Sequence, residues 1–129
     1  MEYVIPGNPI PLHRARGSKH GYYDDQFQLK KNIQWLFKET YGKVEPLKCP
    51  LSLTITFYMP IPKSISKKKH AALIGQPHAK TPDTSNLIKL PEDCFNGILW
   101  EDDCLICHLD AKKLYDEDPR TVFEIKEIL

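Results

Sequence analysis

From Leu51 to Met59 the chain reads LSLTITFYM, placing Leu51, Leu53, Ile55, Phe57 and Met59 on one side and Ser52, Thr54, Thr56 and Tyr58 on the other. A period of two predicts a half-buried strand, which Pro60 and Pro62 end. Met1 to Ile5 predicts a short strand stopped by Pro6-Gly7. Residues 8 to 23, with Pro9, Pro11, Gly17 and Gly21, read as a loop. Phe27, Ile33, Leu36 and Phe37 fall broadly on one face of a helix that Asp24 or Asp25 caps and that runs to about Tyr41, before Gly42. Ser64 caps a short helix over ISKKKHAALI, closed by Gly75. A third helix starts after Pro82 with Asp83 or Thr84 as its cap. In it Leu87 and Leu90 turn toward the core, whereas Asn86, Lys89 and Asp93 share another face, and Pro91 should kink it or interrupt its hydrogen bonding. Asn96-Gly97 marks a turn. Cys104 to Tyr115 and Thr121 to Ile128 read as strands that Asp118-Pro119 joins into an antiparallel hairpin. The class is α+β: a single domain with a small, mostly antiparallel sheet packed with two or three helices.

Length and composition narrow this picture. With 129 residues, 41% of them hydrophobic, the chain can fill one core and not two. No apolar run reaches the roughly 18 residues of a membrane span. The opening MEYVIPGNPI lacks a basic segment followed by an apolar one, which predicts a reducing, cytoplasmic setting. Cys49, Cys94, Cys104 and Cys107 show no disulfide framework. Cys104-Leu105-Ile106-Cys107-His108 does spell a haem-attachment pattern, but without an export signal, and inside an apolar strand, the cysteines read as small core residues. Zinc would need a second pair of ligands at matching spacing.

Charge is divided unevenly. Residues 1–82 hold 13 Lys/Arg against 5 Asp/Glu, and residues 83–129 hold 5 against 12, so the halves carry +8 and −7. Between Glu45 and Asp83 the charged residues are all lysines: Lys48, Lys63, Lys67, Lys68, Lys69 and Lys80. Such polarity suits a protein that neutralises phosphates beside an acidic metal pocket, although two halves that pair as salt bridges across one surface would read the same. The acids concentrate in Thr81 to Asp103, where Asp83, Glu92, Asp93, Glu101, Asp102 and Asp103 accompany Asn86 and Lys89. Carboxylates this close are tolerated on a solvated face or around a hard cation, and Mg²⁺ needs only one or two of them plus waters and substrate phosphate oxygens. Lys89 would then offset charge on a phosphoryl group, unless it is an ordinary solvated helix lysine.

These residues also carry a resemblance. Pro82-Asp83-Thr84-Ser85-Asn86-Leu87-Ile88-Lys89, then Asp93-Cys94-Phe95-Asn96-Gly97 and Asp102-Asp103, resemble the signature of RusA-type Holliday junction resolvases, a PD-x-D-N-L-x-K segment followed by D-x-L-N-G and an acidic pair. Pro6-Gly7-Asn8-Pro9-Ile10-Pro11 with Arg14-x-Arg16, and Met59-Pro60-Ile61-Pro62-Lys63 with the lysines after it, are similar to earlier parts of that family, so the likeness spans about residues 4 to 115. Where the family usually has a second aspartate, this chain has Ser85. The resemblance implies an endodeoxyribonuclease that uses Mg²⁺, or Mn²⁺ in its place, on four-way junctions and other branched DNA, as a homodimer acting in recombination and repair. It implies Asp83, Lys89 and Asp103 as catalytic residues and Asp83, Asp102 and Asp103 as metal ligands. Ser85, Asn86 and Asp93 stand behind these ligands.

Arg14, Arg16, Lys63, Lys67, Lys68 and Lys69 are the candidate DNA contacts, with His13, His20, Tyr22 and Tyr23 interleaved as stacking groups. Two alternatives stay open. One is a junction-binding protein whose catalysis is impaired at Ser85; the other, more remote, is a metal-dependent enzyme on a small phosphorylated substrate, which leaves the lysine run unused.

Overall fold

The structure, a computed structural model, describes residues 2–13, 16–18, 21–23 and 26–128, the side chains of 16–18 and 21–23 excepted. Four strands form the main sheet: β1 (Glu2–Pro6), β4 (Leu51–Pro60), β5 (Ile106–Asp116) and β6 (Arg120–Glu127), in the order β1-β6-β4-β5. β2 (Arg16–Ser18) and β3 (Gly21–Tyr23) make a separate antiparallel pair inside the segment expected to be a loop. Three helices, α1 (Phe27–Tyr41), α2 (Lys67–Leu73) and α3 (Thr84–Phe95), complete the α+β domain.

Alternation in β4 does what its sequence predicts. Leu51, Leu53, Ile55, Phe57 and Met59 are buried, and Thr54 on the other side is exposed. A row across the covered face joins Tyr3, Phe123, Ile55 and Ala111. Onto it pack Phe37 of α1 and Leu87, Leu90, Cys94 and Phe95 of α3, together with Trp100. Phe95 is the hub, its ring centroid 4.9 Å from Phe37, 5.5 Å from Phe123 and 6.3 Å from Trp100.

The expected β5–β6 hairpin does not form. β4 lies between the two strands, parallel to β5 and antiparallel to β6, so two of the three pairings in the main sheet are antiparallel. The reason is steric and energetic: β4 buries one whole face and gains ladders on both edges, while Glu117–Pro119 crosses its end. Two strand spacings of about 4.8 Å lie within the reach of three extended residues. β4 stops there at Pro60, whose register partner is Asp116. The return from β4 to β5 passes through α2 and α3, the long crossover that a parallel pair requires.

Local signals held unevenly. α1 buries Leu29 and Ile33 in part and Phe37 fully, but leaves Phe27 and Leu36 exposed: at 100° per residue Phe27 lies about 80° beyond the 29-33-37 stripe, whereas Leu36 lies at its other margin, about 20° outside Leu29. Asp24 and Asp25 lie outside the described residues, and the cap position is Gln26. Buried Gln26 pins the proline-rich segment: its Oε1 accepts from His13 N at 2.7 Å and its Nε2 donates to Pro11 O at 3.0 Å. Ser66, not Ser64, caps α2, accepting from Lys69 N at 3.3 Å. α3 runs through Pro91 without dividing, the ring being buried on the core side. Cys104 and Cys107 are exposed rather than core residues, since the first half of β5 forms an open sheet edge. The second half is covered by Gly75–His78, which bonds along Tyr115 and Lys113.

Candidate active site

α3 is a two-sided helix. Leu87, Ile88, Leu90, Pro91, Cys94 and Phe95 are buried. Ser85, Asn86, Lys89 and Asp93 are exposed along the other side, with Glu92 half-buried at its margin. Asp83 holds the N-cap position with its carbonyl accepting from Asn86 N and Leu87 N, each at 3.1 Å, while its carboxylate makes no capping bond. Its charge therefore meets the positive end of the helix dipole without a capping bond. The loop before it is held from β5. Lys113 Nζ donates to Lys80 O at 2.5 Å and to Pro82 O at 2.7 Å.

After α3 the chain turns at Asn96-Gly97, where Gly97 adopts φ 80° and its N–H donates to Trp100 O at 2.7 Å. Leu47 then brackets the segment, its N–H donating to Leu99 O and its carbonyl accepting from Glu101 N, both at 2.9 Å. Trp100, 1% exposed, is the core anchor two residues before Asp102. This returns Asp102 and Asp103 to the polar side of α3. Asp103 opens a single 3-10 turn, Asp103–Leu105, capped by Asp102, whose Oδ1 accepts from Cys104 N at 3.2 Å.

The electrostatics record the crowding. The Cys104 N–H, and then a hydrogen bond shared with Asp103, hold the Asp102 carboxyl below the usual carboxylate range. The same shared bond, burial and the Asp102 charge push Asp103 up, and Asp93 adds to it. Glu92 is raised first by burial and next by Asp103, with Lys89 opposing. Four acids and one lysine from α3 and the 3-10 turn therefore share one field. Lys89 Nζ also donates to Asn86 Oδ1 at 3.4 Å, and Asp93 is bound by Lys30 of α1 at 2.5 Å.

Of the expected residues, Asp102, Asp103, Lys89 and Asp93 gather, with Asn86 beside Lys89. Asp83 stands apart, six residues before Lys89, about 9 Å along the helix axis. Among the described residues no group of three His, Cys, Asp or Glu side chains has metal-holding geometry. The donor set nevertheless suits a hard cation, because neighbouring carboxyls crowd their negative charge and a divalent ion held by their oxygens relieves that crowding. Lys63, Lys67, Lys68 and Lys69 are exposed on α2 and the turn before it. Arg14 and His20 lie outside the described residues, as do the side chains of Arg16, Tyr22 and Tyr23. Sequence reasoning counted Glu92 among the clustered acids but missed two participants: Lys30 as the partner of Asp93, and Lys113 as the clamp on the Asp83 loop. Both act through contacts made across α1 and β5, for which local spacing carries no signal.

Known proteins of similar sequence place the chain in a family. The family model of the endodeoxyribonuclease RusA matches residues 6–126. An uncharacterized protein of Bacillus subtilis (strain 168), YqaN, is 30% identical over 138 aligned residues, covering 99% of this chain and 96% of YqaN. The crossover junction endodeoxyribonuclease rusA of Lactococcus phage r1t is 32% identical over 120 residues, covering 92% of this chain and 79% of the phage protein. With the family model matched over residues 6–126, nearly the whole domain, the chain belongs to the RusA family of endodeoxyribonucleases.

Proposed function

We propose that this chain resolves four-way junctions and related branched DNA in recombination and repair, using Mg²⁺ or Mn²⁺. The observation that supports the reading is the Asp102–Asp103 carboxyl pair, with Asp103 acting on Glu92 and Lys89 opposing it there. Asp102 and Asp103 would hold the ion, and Asp83 is the third candidate ligand. When bound, the ion polarises the scissile phosphate and lowers the pKa of a water. Lys89 would offset charge on the phosphoryl oxygens, and Asn86, whose Oδ1 accepts from its ammonium, would orient it. Asp93, neutralised by Lys30, fixes α3 against α1. Lys63 and Lys67 to Lys69, with Arg14 and Arg16, supply a track for backbone phosphates.

A homodimer fits the task, since two opposed strands must be cut and a two-fold assembly presents two equivalent sites. The four cysteines are free, in keeping with a reducing compartment such as the cytoplasm. Among the described residues no helix is long and apolar enough to cross a membrane.

Nicking of a synthetic four-way junction, with and without Mg²⁺, tests the reading. Asp103→Asn keeps the shape and removes a charge at the ion, so cleavage should fall by orders of magnitude while junction binding is kept. Wild-type cleavage by Asp103→Asn would remove the pair from the site. A second reading, junction binding with impaired catalysis, draws on Ser85 and on the separation of Asp83 from the acidic field. Tight binding with no Mg²⁺-dependent nicking by the natural chain would favour it.

A further inference from the structure

α1 carries aromatic surface that the core does not use. Phe27 is 58% and Trp35 65% exposed. Lys31 lies between them in sequence, its ammonium 5.4 Å from the Phe27 ring centroid. Trp35 borders a shallow groove of about 490 Å³ whose wall includes Lys31, Lys38, Lys43 and the turn residues Gly97 and Ile98, with Glu45 as its acid. Among the described residues no carboxylate pairs with any of these three lysines. The groove adjoins the acidic field, because the neighbouring side of α1 is fastened to the end of α3 by Lys30 on Asp93 and by Gln34 Nε2 on Cys94 O at 2.8 Å.

We propose that this groove is a DNA subsite in which the Trp35 indole stacks on an unpaired base while Lys31, Lys38 and Lys43 hold the flanking phosphates. An aromatic platform ringed by cations is the chemistry that binds single strands. A protein partner is the poorer fit, since lysine is depleted in protein interfaces. The proposal rests on the nuclease reading for its substrate, and it extends the contact surface to the side of the acidic site opened by the Asn96-Gly97 turn. A branch point supplies the unpaired or unstacked base that an exposed indole needs.

The chain contains two tryptophans, and Trp100 is 1% exposed, so Trp35 is the one that DNA can reach. Titrating the full chain with oligothymidylate, and separately with a four-way junction, should quench the exposed indole, and Trp35→Phe should abolish the quenching. Trp35→Ala should weaken oligothymidylate binding about tenfold, and the triple Lys31→Gln, Lys38→Gln, Lys43→Gln variant should lower the salt slope by about two. Unchanged Trp35 emission at saturating DNA, followed in parallel by anisotropy of labelled DNA, would overturn the subsite. So would failure of oligothymidylate to bind, or emission that changes on dilution without DNA while Trp35→Ala sediments as a smaller species; that last result would make the face a contact between copies. Junction cleavage with a silent Trp35 would remove the subsite and keep the nuclease, whereas quenching by oligothymidylate without cleavage would do the reverse.

Discussion

Lys113 sits on the covered side of β5 in register with Phe57, and its ammonium is spent on the carbonyls of Lys80 and Pro82. Those carbonyls belong to the strap that delivers Asp83. Lys113→Met keeps the aliphatic stem but leaves both carbonyls unbonded, so unfolding free energy should fall by about 1.5–3 kcal/mol in urea titration. Junction cleavage should then require more Mg²⁺. Lys112→Met, on the exposed side of the same strand, is the control and should change neither. Ser85 poses a different question at the same scale. It shares the polar side of α3 with Lys89 and Glu92, at i, i+4 and i+7. Ser85→Asp adds a carboxylate near a helix N-terminus and four residues before a lysine, both favourable placements. Half-maximal cleavage should therefore come at lower Mg²⁺ with no loss of stability. Abolished cleavage by a folded Ser85→Asp chain would instead mean that an existing acid already serves there.

Among the elements, the β5–β6 connection carries a titratable lock. Asp116 Oδ2 accepts from Asp118 N at 3.1 Å and from Arg120 Nη1 at 2.7 Å, while the Arg120 guanidinium lies 3.9 Å from the Tyr58 ring centroid. The Asp118 N–H first, and Arg120 next, hold the Asp116 carboxyl below the usual aspartate range. A depressed carboxyl stabilises the fold above its ordinary unfolded value, about 3.9, and that contribution is lost as pH falls through the folded one. Urea midpoints at pH 7 and pH 3 should therefore differ more for the natural chain than for Asp116→Asn. Equal acid sensitivity in both would place the lock elsewhere. The lock matters because the connection carries the chain across the end of β4, a path with little slack.

At the scale of the whole molecule, one aromatic cluster ties the sheet to the site. Phe95 ends α3, contacts Phe37, Phe123 and Trp100, and accepts the Ile98 and Leu99 amides through its carbonyl at 2.9 and 3.0 Å. Phe95→Ala should cost about 3–5 kcal/mol in urea unfolding, the range for a large aromatic deleted from a packed core. Cleavage should suffer further, even where the chain remains folded, because the turn leading to Asp102 and Asp103 loses its floor. Full activity in a folded Phe95→Ala chain would separate core packing from the acidic field.

The sequence by itself determined what depends on neighbours along the chain. It specified the alternation of β4, the start of α3 at Asp83 after Pro82, and the polar side of α3 that carries Asn86, Lys89 and Asp93, because strand and helix periods are fixed by local backbone geometry. The motif that marks the family lies in those same local stretches. Tertiary structure decided which strands meet. β5 and β6 each read as a strand, and the short link between them reads as a hairpin turn, yet burying β4 between them covers more apolar surface and satisfies both of its edges. It also decided that Phe27 and Trp35 face outward, that Cys104 and Cys107 lie on an open sheet edge, and that Lys113 serves a loop 31 to 33 residues away in sequence. The field around Asp103 likewise exists only after Trp100 is anchored in the core. Pairing, burial and charge proximity sum over residues distant in sequence, and no local period encodes that sum.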